Sequence, residues 1–378
     1  MTNVKAAQQG EQTMSLSKSP SEPVRVGIVG LGRSGWGIHL KTFERRPGTF
    51  RAVAVADTDS VRANETAAAA SGCDAYPGIE ALLADPNVEL VVVASPNKYH
   101  ARHVIAALNA GKHVVCEKPF GLTVADVDAM ISARDAAMAR EGRPVLLAPF
   151  QNRRFEQSFE KVREVIGSGK LGRIVHIRMA YHSFGRRWDW QTLKRFGGGQ
   201  LNNNCPHAVD QALEFLADFG VTSSNEIDVL ADLRNALSSG DAEDHVRLTL
   251  RAPRHPDAPV IDIEFTAACA YPQDQWLVMG TSGGLRGTGK QLHYKWVDWS
   301  TLPPRPVDEK STPDRSYNRE TLPWQEETVE LGDDFASGPD RFYDGLFAAL
   351  RRGEPLLITP EIIRHRIAVL EKARGAAG

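Results

Sequence analysis

The residues of this chain that could carry chemistry fall into three groups. The first is Gly30-Leu31-Gly32-Arg33-Ser34-Gly35, a GxGxxG run that directly follows a β-branched segment and opens a helical one. In that setting Gly30 permits a tight turn, Gly32 lets the backbone approach a pyrophosphate, and Gly35 lets helix and strand pack closely. Arg33 and Ser34 lie within the turn, where first-turn N–H groups face an anion. Asp57 stands at the distance at which an acidic side chain meets the adenine ribose of a dinucleotide. A carboxylate there accepts from ribose hydroxyls and repels a 2′-phosphate, so NAD is predicted over NADP. Arg33 could pair with a 2′-phosphate and keeps NADP open, and a helix-capping role is the alternative for Asp57. The second group is Glu117-Lys118-Pro119, at the end of an apolar strand, where open α/β sheets place their ligands. Burial near positive charge would draw the Lys118 pKa toward neutrality and make it an acid–base group; an exposed turn lysine is the alternative. The third is His207, behind Gly197-Gly198-Gly199 and Asn202-Asn203-Asn204, with Asp210 three residues on. An imidazole suits proton exchange near neutrality, and Asp210 either orients it or is a structural carboxylate.

The elements that must position these groups follow from periodicity. Strands are predicted over 24–29, 51–56, 89–94, 113–116 and 145–148, alternating with helices over 35–46, 59–71, 99–110 and 123–140, the last capped by Thr123. Strands that are apolar throughout and alternate with helices predict a doubly wound parallel sheet. Beyond residue 150 the pattern changes to a helix over 155–167, strands over 173–182, 227–233, 245–250, 260–266 and 275–279, and a helix over 206–219. A Pro-rich loop is predicted over 301–328, then helices over 340–352 and 360–374. The fold class is an α/β Rossmann domain over 23–150 and an α+β domain over 151–378, its sheet large, open and mostly antiparallel. Residues 1–22 are predicted to be a disordered tail without a secretory signal.

His113 to Phe120, containing Glu117-Lys118-Pro119 about 85 residues past the GxGxxG run, resembles the signature of the Gfo/Idh/MocA oxidoreductases. Ser95-Pro96-Asn97 with His100 resembles that family's fourth-strand turn, and Asn152-Arg153-Arg154 its domain-crossing motif. Gly197-Gly198-Gly199 with Pro206-His207 and Asp210 resembles its second-domain motif; Phe342-Tyr343 and Pro360-Glu361 resemble its C-terminal helices. The resemblance implies hydride transfer between NAD(P) and an alcohol carbon of a sugar, inositol or related polyol. It assigns Ser95, Pro96, Asn97, His100, Glu117, Lys118 and Pro119 to the cofactor and Lys118 and His207 to catalysis. It further implies dimers or tetramers formed through the second-domain sheet.

One departure stands out. Asn203 occupies the position where the family pattern has an aspartate, and Cys205 one where a glycine is common. An amide can bond a substrate hydroxyl but cannot take its proton, so Lys118 and His207 are predicted to share the acid–base work while Asn203 positions a hydroxyl. Asn152, Arg154, Trp188 and Trp190 are candidate substrate contacts, since Trp faces stack on sugars and Arg and Asn bond hydroxyls. An aromatic packing cluster and a domain-bracing pair of arginines are the alternatives. A redox-neutral glycosidase or lyase holding NAD, and a non-catalytic cofactor-binding sensor, are the competing functions.

Composition narrows the rest. With 45 Lys+Arg against 47 Asp+Glu the net charge is −2, which speaks against a nucleic-acid partner. The longest apolar run, near Val91, is far short of the roughly 18 residues of a membrane span. Four separated cysteines without a CxxC pair suit a reducing cytoplasm, and no histidine spacing suggests a metal site.

Overall fold

In the computed structural model, residues 21–70, 72–312, 315–332 and 334–377 are described. Most of the predicted disordered tail lies outside the described residues. The chain opens with β1 (Val24–Val29), then a π-helical turn (Gly35–Leu40) that runs into α1 (Lys41–Arg45). There follow β2 (Phe50–Ala56), α2 (Ser60–Ala69), β3 (Asp74–Tyr76), α3 (Ile79–Leu83), β4 (Leu90–Val93), α4 (His100–Asn109), β5 (His113–Cys116), α5 (Val124–Glu141) and β6 (Leu147–Pro149). The six strands are parallel in the order β3-β2-β1-β4-β5-β6. The order reverses between β1 and β4, so a crevice opens at their carboxyl ends. All four residues of β4 are buried, as a parallel strand covered on both faces requires. Thr123 caps α5 in a reciprocal box with Asp126, and Gly142 ends it in the left-handed region.

The second half contains α6 (Gln157–Gly167), β7 (Ile174–His182), α7 (Gln200–Asn203), α8 (Cys205–Asp218), β8 (Asp228–Arg234), β9 (His245–Arg251) and β10 (Val260–Thr266). It continues through β11 (Trp276–Gly280), β12 (Gly283–Gly287), β13 (Gln291–Trp296), β14 (Gln325–Glu330), α9 (Asp334–Arg352) and α10 (Pro360–Ala376). Its eight strands run β14-β13-β12-β11-β7-β10-β9-β8, antiparallel at every step except the parallel β7–β10 pair. One face carries Ile177, Met179, Leu248, Ile263, Trp276 and Val278, buried in a core shared with α8 and the first sheet. The other carries Arg178, Arg247, Asp262 and Glu264, the alternation expected of a sheet packed on one side. The helix α9 follows this sheet in sequence yet packs on the first: Tyr343, Phe342 and Leu346 join Phe43, Phe50 and Phe150.

Six elements are not among those the sequence predicts. The strand β3 and the helices α3 and α7 are too short for a periodic signal. The strand β12 reads Gly-Gly-Leu-Arg-Gly and β14 Gln-Glu-Glu-Thr-Val-Glu. Glycine and charge both argue against strands locally, and only the backbone ladder to β13 recruits them. The strand β13 was hidden by its half-polar composition. Among the described residues no helix is long and apolar enough to cross a membrane.

Candidate active site

The glycine turn closes β1 onto the first helical segment. Gly30 has φ +90°, and a Cβ there would stand 2.6 Å from the Ala94 carbonyl oxygen. A Cβ at Gly35 would stand 2.0 Å from the Gly30 carbonyl oxygen, so helix and strand touch backbone to backbone. At Gly32 a Cβ would meet nothing within 4 Å. The turn is thus closed toward the protein and open on the side from which a pyrophosphate would approach, and it fits that group. Asp57, at the end of β2, accepts from the Leu31 N–H at 2.8 Å and the Asp59 N–H at 2.9 Å. It therefore braces the turn, while Asp59 is the residue that caps α2.

Between the two sheets runs a groove of about 340 Å³ whose lining includes Arg33, Ser34, Glu117, Lys118, Asn152 and His207. Lys118 leaves β5 through a cis peptide to Pro119. Its Nζ donates to the Asn203 carbonyl oxygen at 2.7 Å, bridging the two halves of the molecule. Burial lowers its pKa, and the nearby charges of Arg153, Arg33 and Arg187 lower it further against the pull of Glu117. Glu117 accepts from the Lys118 backbone N–H at 3.0 Å and lies 3.2 Å from His39 Nε2. His39 Nδ1 lies 2.7 Å from the Tyr343 hydroxyl, so Nε2–H donates to Glu117 and Nδ1 accepts from Tyr343. Burial would raise the Glu117 pKa, but the His39 bond and the Lys118 charge prevail and hold it at about 2.

His207 enters the groove from the first turn of α8. It is 5% exposed, and its Nδ1 has no hydrogen-bond partner. Burial, then the charges of Arg153 and Lys118, depress its pKa well below the usual imidazole value, so the ring is neutral. Asp210 does not orient this ring. It is fully buried, takes the guanidinium of Arg154 on both carboxylate oxygens, and accepts from Arg366 Nε at 3.0 Å. Arg154 thus braces the domain crossing and is not brought to the groove.

Asn203 is likewise held elsewhere. Its Oδ1 accepts from Asn97 Nδ2 at 3.0 Å and its Nδ2 donates to the Gln191 carbonyl at 3.2 Å; of the three asparagines 202–204, Asn204 is the one in the groove lining. Asn97 also donates to the Gly197 carbonyl at 2.8 Å. His100 lies with its ring nitrogens 2.8 and 2.7 Å from the carbonyls of Ser95 and Pro119, tying the two strand-end loops together. Pro96 leads into the 3-10 turn Asn97–Tyr99. Trp188 is 79% exposed and Trp190 packs edge-on to Phe196; neither joins the groove lining. Sequence reading did not single out His39, Tyr181, Gln275 or Lys290, which help to form or line the site. They come from the π-helical turn, from β7 and from the loops that precede β11 and β13, whose neighbours are set only by the tertiary fold.

Residues 24–140 match the oxidoreductase family with an NAD-binding Rossmann fold, and residues 159–286 the GFO/IDH/MocA C-terminal domain. An uncharacterized oxidoreductase of Schizosaccharomyces pombe is 32% identical over 284 residues, 72% of this chain and 74% of that protein. The myo-inositol 2-dehydrogenase of Thermotoga maritima is 36% identical over 156 residues, 41% of this chain and 44% of that one. Levoglucosan dehydrogenase in complex with NADH and levoglucosan superposes with a TM-score of 0.72 at 19% identity, covering 94% of this chain and 97% of that one. An NAD-binding protein from Listeria innocua superposes at 0.74 and 24% identity, with the same coverage. Two matched domains in one order, on a glycine turn shaped for a dinucleotide, make this chain a member of the NAD-binding Gfo/Idh/MocA oxidoreductases.

Proposed function

We propose that this protein is a dehydrogenase or reductase acting on a secondary alcohol of a sugar, inositol or related polyol. The observation that carries the reading is the pairing in one groove of Lys118 with a buried, neutral His207 whose Nδ1 has no partner within the protein. A buried polar atom without a partner is costly, and a substrate hydroxyl would satisfy it. Bound NAD supplies the hydride acceptor when the alcohol is oxidised. Lys118, with its pKa lowered, takes the hydroxyl proton on Nζ, and the resulting ammonium keeps its hydrogen bond to the Asn203 carbonyl. His207 holds the hydroxyl through Nδ1, and the Lys118 ammonium returns its proton to solvent after the hydride has left. Asn203 acts through that carbonyl and through its clasp on Asn97. Asn152, Tyr181 and Gln275 supply uncharged polar groups suited to hydroxyls, in a lining that also carries Arg33, Lys118, Arg153 and Lys290 against Glu117 and Glu156. The myo-inositol dehydrogenase relative supports a cyclic polyol. Asp57 favours NAD over NADP, and the exposed sheet face favours self-association. Four free cysteines suit a reducing, cytoplasmic setting.

The test is a panel of sugars, inositols and sugar acids with NAD and NADP, followed by the absorbance of the reduced nicotinamide. One substrate should turn over with NAD, and Lys118→Ala should lower kcat by about 10²-fold or more. Consumption of substrate without net NADH would instead identify a redox-neutral lyase or glycosidase. Near wild-type turnover by Lys118→Ala would remove that residue from the chemistry.

A further inference from the structure

The opposite edge of the first sheet carries a second cavity, at the amino ends of β4, β5 and β6 and so remote from the carboxyl-end groove. Its volume is about 300 Å³. Four cationic side chains line it, Arg25, Lys112, Arg143 and Arg351, against two carboxylates, Glu89 and Glu141. Several of these charges already have work. Lys112 Nζ donates to the carbonyls of Asp85 and Val88, both at 2.8 Å, and Arg351 Nε to that of Glu22 at 2.9 Å. Arg25 Nε donates to the Asn87 carbonyl at 2.6 Å and lies 3.7 Å from Glu89. Arg351 Nη2 has no hydrogen-bond partner, the nearest carboxylate oxygen being that of Glu89 at 3.5 Å.

The decisive geometry is at His113. Its Nδ1 lies 3.0 Å from the Leu146 backbone N–H, which can only donate, so Nδ1 must be the unprotonated acceptor. Burial and the neighbouring Arg143 hold the imidazole pKa down at about 3, so the ring is neutral and its one proton is on Nε2. Yet the group 3.3 Å from Nε2 is Arg143 Nη1, another donor. Two N–H donors at hydrogen-bond distance leave each other unsatisfied, and the remaining Arg143 bonds go to the carbonyls of Pro144 and Gly111. What is missing is an acceptor between them. A water would satisfy the two donors but add nothing against the four lining cations, which Glu89, Glu141 and the Glu22 carboxylate 3.6 Å from Arg25 only partly offset. An anion with several oxygens satisfies both requirements.

We infer that the cavity at the amino edge of the first sheet is a binding site for a small oxyanion of the phosphate type, held by His113 Nε2–H and Arg143 and by the charges of Arg25 and Lys112. The site is independent of the proposed activity, and none of its residues lines the catalytic groove.

Calorimetric titration of inorganic phosphate into the NADH-saturated protein tests this, because bound NADH covers the glycine turn that could otherwise take phosphate. One saturable phosphate per chain is expected above a chloride control of equal ionic strength. Arg143→Met should weaken it by about tenfold or more, the loss expected for a charge-assisted hydrogen bond. Glu141→Gln should tighten it several-fold by removing a lining carboxylate, and this gain decides the matter even if Arg143→Met fails to fold. Absence of saturable binding overturns the inference, as does an affinity that Glu141→Gln leaves unchanged.

Discussion

At Gly35 a Cβ would stand 2.0 Å from the Gly30 carbonyl oxygen, and at Gly198 it would stand 2.3 Å from that of Gln191. At Gly32 it would meet nothing within 4 Å. The molecule's two glycine-rich turns therefore differ in what they make room for. The turn over 30–35 uses two glycines to bring the chain against itself and leaves the middle one facing open space. In the run Gly197-Gly198-Gly199 all three positions are filled by the protein: Leu122 against Gly197, the 191–193 backbone against Gly198, and Glu243 against Gly199. The first turn is shaped for a ligand. The second is a seat that fixes α7 and α8, and through them the Asn203 carbonyl and His207. Glycine spacing looks alike in both; only the neighbours separate cradle from seat.

Substitutions to alanine at these positions can break the comparison. Gly35→Ala should be the most damaging, because backbone blocks its Cβ and neither partner can yield without parting β1 from the helix. A loss on the order of 4 kcal/mol is expected, read from denaturant unfolding. Gly198→Ala should cost about 2–4 kcal/mol and also slow turnover roughly tenfold or more. The reason is that Gln191 O, which its Cβ would strike, also accepts from the Gly199 N–H at 2.8 Å and from Asn203 Nδ2. NADH affinity should barely change in this variant. Gly32→Ala should show the reverse: stability within about 0.5 kcal/mol of wild type, but about tenfold weaker NAD binding in a fluorescence titration. Equal effects of Gly32→Ala and Gly198→Ala on cofactor affinity would erase the distinction.

The smallest effect concerns what the second turn leads into. His207 has its pKa depressed in the folded chain, as do His103, to about 4, and His113, to about 3. Below about pH 6.5 the unfolded chain binds protons on these rings that the folded chain refuses, so stability must fall as pH falls. Glu117 has the same sign but acts in a lower window: its stabilisation is present above about pH 4.5 and is lost as pH falls through about 2. Melting temperature should therefore decline between pH 7.5 and 5, and the decline should be shallower in His207→Asn. A decline of equal slope in that variant would show that His207 is readily protonated in the folded protein.

Much of the candidate site is legible in the sequence itself. The GxGxxG run, Lys118 after an apolar strand and His207 after a glycine run are local patterns, and local patterns survive in a sequence. The partners of the polar side chains were not legible. Asn203 and Arg154 read as substrate contacts because both are polar and close in sequence to the groove. The fold turns the first toward Asn97 and Gln191 and the second toward Asp210. Trp188 suggested a sugar platform by residue type alone, and it stands in solvent. His39 could not be singled out, since its meeting with Glu117 depends on a π-helical turn and on Tyr343, 304 residues away.

By itself the sequence determined the parallel sheet, the glycine turn, the strand that ends in Lys118 and the helix that begins near His207. These are set by hydrophobic period and by the conformational freedom of glycine, which act over a few residues. Tertiary structure alone decided that β12 and β14 complete the second sheet, that α9 returns to the first, and that a lysine on one half donates to a carbonyl on the other. It also decided that His113 faces a second donor in a charged cavity. Those outcomes depend on which backbone carbonyls and side chains meet across long separations, and burial and hydrogen-bond satisfaction choose among such meetings only once the chain has closed.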